Sequence, residues 1–277
     1  MKLGYTVWTW IIRLYEENHT WEPKSARSKM DFEEAMKSIA YLGYDSAECF
    51  NQIVDIYEDA EDEFDQVIKS NKLSFDCIYI YITDDFETDK KNAEKCFRFM
   101  KRHNIPYANL QTSPRPLDRK MTEAELKEEI EKAKIIGCMG KEYGVTVCLH
   151  PHLDTHIQYE EEIEQLVQRT SKEEIALCFD TAHLEAANMD SAEMIKKYAD
   201  RIAYMHLKDL APESEMIATH FDRFRALGKG MLNFDRVLYA LKEIGYDGNL
   251  CVELDNPAIC NFESAQQSMK HMKFLGL

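Results

Sequence analysis

Short apolar runs alternate strictly with longer amphipathic stretches along this chain, and that alternation limits its possible folds more than any other feature. Apolar runs rich in β-branched and aromatic residues read as strands at residues 2–10, 45–50, 73–82, 105–111, 145–150, 175–180, 202–206 and 249–253. Stretches with helical spacing follow them at 31–43, 58–71, 89–103, 122–143, 159–169, 191–198, 234–244 and 262–274. In the first of these helices the apolar positions 32, 35, 36, 39, 40 and 42 fall on one face and Gly43 fits a C-cap. Thr122 with Glu125 makes a capping box, and Ser191 is a plausible N-cap. Segments 13–29, 113–119 and 208–230 read as loops. Strict β/α alternation implies a parallel sheet, and eight units in a chain of 277 residues is the arithmetic of a single-domain α/β protein, a (β/α)8 TIM barrel over residues 1–277. A doubly wound open sheet is the competing arrangement. It wants a glycine-rich turn after the first strand, and TWIIRLYEEN has none.

Composition narrows the function. The formal charge is −16, from 50 acidic and 34 basic residues. An acidic chain without a basic block is a poor partner for nucleic acid or an anionic membrane, which leaves a small molecule as the expected ligand. The eight cysteines include no C-x-x-C pair. Cys49, Cys77, Cys148, Cys178 and Cys251 lie inside apolar runs, as buried thiols do in a reducing, cytoplasmic setting. MKLGYTVWTW is too short for a signal sequence, and no apolar run reaches membrane-spanning length. The 13 Met and 13 Phe are simplest as core, with a homo-oligomer face as the other use.

Four apolar runs end in a side chain able to bind a metal: VCLHPH at His150 and His152, LCFD at Asp180, IAYMH at His206 and LCVE at Glu253. In a (β/α)8 barrel the chemistry gathers at these strand ends. Two carboxylates with two imidazoles suit one divalent cation, with Mn2+ fitting best and Mg2+, Co2+ or Zn2+ also accommodated. Either His150 or His152 serves as the strand-five ligand. His150 is preferred because it is nearer the apolar run, and His152 then contacts substrate. Asp180 also fits a helix N-cap, and Glu253 a salt bridge to Lys208. A site with open positions can polarise the carbonyl of a polyhydroxy compound while a neighbouring carbon loses its proton. His183, Lys208 and Asp209 are placed to move that proton or hold a hydroxyl. Lys208 and Asp209 could instead form a solvated pair. Glu48 could line the mouth or simply face solvent, and Trp8 and Trp10 could wall a sugar face or belong to the core.

These residues carry a resemblance. LHPHLDT, DTAHL, HLKD, LGKG followed by an Asn-Phe-Asp step, and GYDGNLCVELD, together with LGYTVWTW and GYDSAE, resemble the xylose isomerase-like TIM-barrel superfamily over nearly the whole chain. Its inosose dehydratase-like branch is most similar, with sugar-phosphate isomerase/epimerase-type proteins and ketose 3-epimerases beside it. The resemblance implies metal ligands at Asp180, His206 and Glu253. It makes His183 a substrate-contacting histidine and matches Lys208 to the lysine of a dehydratase-like HLKD. Epimerases of this kind place a Glu at the end of strand five, where this chain has His150. The expected function is therefore a metal-dependent isomerase or epimerase of a small sugar or polyol ketone, with Glu253, His183 and Lys208 as catalytic groups. An inosose-type dehydratase removing a β-hydroxyl is the alternative. A metal-holding subunit of a C-glycoside-cleaving complex, or a non-catalytic sugar-binding barrel, is a further one.

Overall fold

A computed structural model describes residues 1–11, 26–255, 257 and 259–277. Among them, eight strands close into one barrel in the order β1-β10-β7-β6-β5-β4-β3-β2. The strands are β1 (Lys2–Thr6), β2 (Ser46–Phe50), β3 (Ser74–Tyr81), β4 (Tyr107–Gln111), β5 (Thr146–Leu149), β6 (Ala176–Asp180), β7 (Ile202–Leu207) and β10 (Asn249–Val252). The expected α/β barrel is the fold this chain adopts. Within it the chain forms two compact units.

The first unit holds Met1–Cys77, Leu207–Leu232 and Asn249–Leu277. β1 pairs in parallel with β10 and with β2. Helix α2 (Ala26–Leu42) lays Phe32, Ala35, Met36, Ile39 and Leu42 inward, as its spacing requires. Phe32 meets Tyr57, Phe64 and Phe75 at ring separations of 5.5, 5.9 and 6.1 Å. Gly43 ends α2 with φ +95°, and the amide of Tyr44 closes back on the carbonyl of Ile39, the 6→1 bond of a Schellman cap.

Several expected boundaries shift here. The first strand stops at Thr6, and Trp8–Ile11 forms a helical turn, α1, that buries Thr9, Trp10 and Ile11. Packing of Trp10 edge-on to Tyr5, at 5.7 Å, overrides the strand propensity of those aromatics. Of the expected loop 13–29, residues 13–25 lie outside the described residues and Ala26–Lys29 are the first turn of α2. The acidic helix expected at 58–71 is α4 (Glu61–Ser70), and a short helix not expected there, α3 (Gln52–Tyr57), precedes it. The segment read as one long loop after β7 contains an antiparallel pair, β8 (Asp209–Leu210) with β9 (Phe224–Arg225).

The second unit holds Ile78–His206 and Asn233–Gly248. β4, β5, β6 and β7 pair in parallel within it, and Asp180 lies directly opposite His206 in the β6–β7 register. Around them run α5 (Phe86–His103), α6 (Glu123–Glu142), α7 (Glu160–Arg169), α8 (Thr181–Ala186), α9 (Ser191–Lys197) and α10 (Phe234–Glu243). The Thr122–Glu125 capping box forms as the sequence indicates. Ser191 does not cap α9. Asp190 does, accepting from the amides of Ala192 and Glu193, because a carboxylate one residue earlier reaches both donors.

Gly137 on α6 marks where that helix lies closest to the segment before β6. A Cβ there would stand 1.8 Å from the carbonyl oxygen of Glu174. We expect Gly137→Ala to destabilise the protein by about 1–3 kcal/mol, net of the ~1 kcal/mol that alanine gains in helix propensity. A urea unfolding midpoint unchanged from wild type would contradict that close approach.

A buried histidine and carboxylate cluster at the strand ends

In the second unit, β5, β6 and β7 deliver His150, Asp180 and His206, each at most 1% exposed. A ligand atom from each lies within 4.8 Å of the others. Asp180 has two jobs. Its Oδ1 accepts from the amides of Ala182 and His183 at 2.8 and 2.9 Å and so starts α8. Its Oδ2 lies 3.9 Å from Nε2 of His150. The N-cap and the metal-facing readings of Asp180 are therefore compatible, one oxygen for each.

Two residues outside the expected set orient the imidazoles. The single proton of Tyr79 Oη goes to Gln111 Oε1 at 3.0 Å, so Tyr79 accepts from Nδ1 of His150 at 3.3 Å and the ring's lone pair is on Nε2. Asn109, wholly buried in β4, places its amide nitrogen Nδ2 3.1 Å from Nε2 of His206. A polar residue inside an apolar run was the available signal for Asn109. Nothing in its spacing pointed to a partner 97 positions away.

His152 and His183 stand beside this group. His183 is buried, and its ring centroid is 5.4 Å from that of His150 and 3.9 Å from that of His152. Both rings are pinned by the backbone of Leu153. Its amide donates to Nδ1 of His183 at 3.2 Å, so neutral His183 carries its proton on Nε2. Its carbonyl lies 2.7 Å from Nδ1 of His152, so that nitrogen is the donor and the lone pair of neutral His152 is on Nε2. The rings thus present opposite tautomers, one Nε2 donor and one Nε2 acceptor.

In the first unit, Glu253 follows β10 directly, and its amide donates to the carbonyl of Leu207 at 3.1 Å. Lys208 is 1% exposed, with Nζ 3.1 Å from Glu253 Oε2, 2.7 Å from Asp255 Oδ2 and 4.5 Å above the Phe224 ring. The salt bridge to Glu253 is therefore present. Burial, together with the charges of Cys251, Glu253 and Asp255, pushes the Tyr5 phenol well above its ordinary range, so it stays protonated. Glu48 does not face solvent: it is fully buried in β2. Trp8 stacks on Phe50 at 4.8 Å with ring planes 10° apart.

Asp209 is not paired with Lys208, and it is not solvated. It is fully buried and accepts from the amides of Leu210, Gly228, Gly230 and Leu232 at 2.8–3.1 Å. The sequence Leu-Gly-Lys-Gly is thus the loop that wraps this carboxylate. Asp209→Ala leaves four amides to find other partners, and we expect a loss of about 3–5 kcal/mol in chemical denaturation. A loss under about 1 kcal/mol would remove Asp209 as the anchor of that loop.

Comparison with known proteins gives the family and the fold. The family model described as xylose isomerase-like TIM barrel matches residues 36–275. An inosose dehydratase from Clostridium perfringens is 32% identical over 165 residues, covering 55% of this chain and 56% of that protein. The chain thus spans about half the length of the curated relatives it matches. Among solved structures, the IolI protein "with a binding zinc atom" superposes with a TM-score of 0.76 at 19% identity, covering 99% of this chain and 98% of that one. D-psicose 3-epimerase from Clostridium cellulolyticum gives 0.73 at 12% identity, covering 99% and 98%. Likeness at that level of identity speaks for the shared fold.

Proposed function

Within the xylose isomerase-like TIM barrel family, to which this chain belongs, we propose that it is a divalent-metal-dependent hydro-lyase that removes a β-hydroxyl from a keto-polyol of the inosose kind. The observation that carries this reading is the pair of oppositely protonated imidazoles, His152 and His183, beside His150 and Asp180. The named relatives, which are inosose dehydratases, support dehydration ahead of the isomerase or epimerase outcome expected first. His150 supports it too, because it stands where an epimerase of this kind has its second glutamate.

The donor set fits a divalent cation of the harder or borderline type. His150 Nε2, one oxygen of Asp180 and an imidazole nitrogen of His206 would supply three ligands. Glu253 is assigned as the fourth, since its amide is bonded to Leu207, the residue joined to His206. Asn109 occupies the Nε2 edge of His206. The amide nitrogen of Asn109 stands at that edge, so His206 would offer Nδ1 to a cation only with the Asn109 amide flipped to accept the Nε2 proton. Mn2+ is the preferred ion, with Mg2+, Co2+ or Zn2+ compatible. Such an ion supplies Lewis-acid polarisation of a carbonyl oxygen.

The residues do the proton work. His152 Nε2 takes the proton from the carbon beside the carbonyl. The imidazolium so formed on His152 returns that proton to the departing hydroxyl, which leaves as water, while His183 Nε2–H hydrogen-bonds the same hydroxyl and keeps its own proton. Lys208 holds Glu253 in place through their ion pair, and Trp8 with Phe50 offers an apolar face to the substrate ring. The site works without a nucleic-acid or membrane partner. Among the described residues no helix is long and apolar enough to cross a membrane. All eight cysteines are thiols, which supports a reducing cytoplasmic setting.

The deciding experiment incubates the Mn2+-loaded protein with a panel of inososes and ketoses in D2O. Dehydration gives a new ultraviolet-absorbing enone or diketone, whereas epimerisation gives a deuterated sugar without one. If no substrate exchanges a carbon-bound proton, enolisation chemistry is excluded for this site.

A further inference from the structure

Three of the strands that carry the assigned ligands also carry a cysteine two residues earlier: Cys148 before His150, Cys178 before Asp180 and Cys251 before Glu253. Residues two apart on a strand share a face, so each thiol lies one pleat below a ligand. For Cys178 the consequence is geometric. Its Sγ and one nitrogen each of His150 and His206 lie within 4.8 Å of one another, and all three residues are at most 1% exposed.

We propose that the second unit carries an alternative, overlapping binding site for thiophilic cations, formed by His150, Cys178 and His206. The site shares both imidazoles with the set assigned above and exchanges the oxygen of Asp180 for sulfur. The proposal rests on the reading of His150 and His206 as ligands, and it adds a softer ligand set beneath the oxygen-containing one. Thiolate with two imidazoles selects Cd2+, Cu+ or Zn2+, whereas carboxylates select Mn2+ or Mg2+. Asp180 competes poorly for a soft ion because one of its oxygens is committed to the start of α8. As the metal–sulfur bond forms, the Cys178 proton is released to buffer. A soft cation seated there holds both imidazoles and so excludes a harder ion from the upper set. The predicted result is competitive displacement of Mn2+ by Cd2+.

The test uses the full chain with the exposed Cys138 and Cys260 changed to serine, so that only interior thiols report. Cd2+ titration of the metal-free protein should give a thiolate-to-cadmium charge-transfer band that saturates at a single equivalent. Cys178→Ser should lose the band while retaining a single equivalent of Mn2+ by electron paramagnetic resonance. Cys178→Ala serves if the serine variant does not fold. Cadmium bound without a thiolate band, or a band unchanged in both Cys178 variants, overturns the proposal. A cadmium band in a protein that binds no Mn2+ would uphold the sulfur set and overturn the oxygen one.

Discussion

Asp180→Asn is expected to give a folded protein that holds no divalent cation. The amide oxygen of asparagine can still accept from Ala182 and His183, so α8 keeps its cap. What disappears is the charged oxygen beside His150, and with it the anionic ligand of β6. Metal content after dialysis should fall from stoichiometric to background, and turnover with the identified substrate should drop by ~10³-fold or more. Thermal unfolding in the absence of metal should change little. Retained stoichiometric metal would take Asp180 off the ligand list. A collapsed melting temperature would make the charge of Asp180 necessary to the fold itself.

The second large effect is at His183. His183→Asn keeps an acceptor near the position of Nδ1, so the amide of Leu153 stays satisfied, and it removes the Nε2 donor. We expect kcat to fall about 10²–10³-fold, the range for loss of a positioned hydrogen-bond donor, with metal content unchanged. His152→Gln should fall in the same range. Because both rings act on the same departing hydroxyl, the double variant should be much less than multiplicatively worse. A loss confined to KM would instead make His183 a binding contact only.

The barrel was legible because parallel strands covered on both faces must be nearly continuous apolar runs, and the sequence carries eight of them. Their ends were harder. α8 escaped because six residues are too few to display a helical period, and its start signal was Asp180, already explained as a ligand. Lys208 and Asp209 looked like a pair because they are adjacent. In extended chain, neighbours point to opposite faces. Lys208 therefore turns to Glu253 and Asp255, while Asp209 turns to the loop at 228–232. Of the buried cluster, Asp180, His206 and His150 were readable from where the apolar runs stop. Tyr79, Asn109 and Gln111 were not, because which face a strand residue takes, and which distant strand it meets, is settled only when the sheet closes.

Leu153 gives the pair of imidazoles a further property. It sets the two protonation states with its peptide group alone, one N–H and one carbonyl, and contributes no functional side chain. The division of labour between the rings is written in the path of the chain and not in the identity of a residue. Other apolar side chains at position 153 should leave it intact, while proline, which lacks the N–H, should scramble it. A catalogue of catalytic side chains would pass over the residue that tells these two histidines apart.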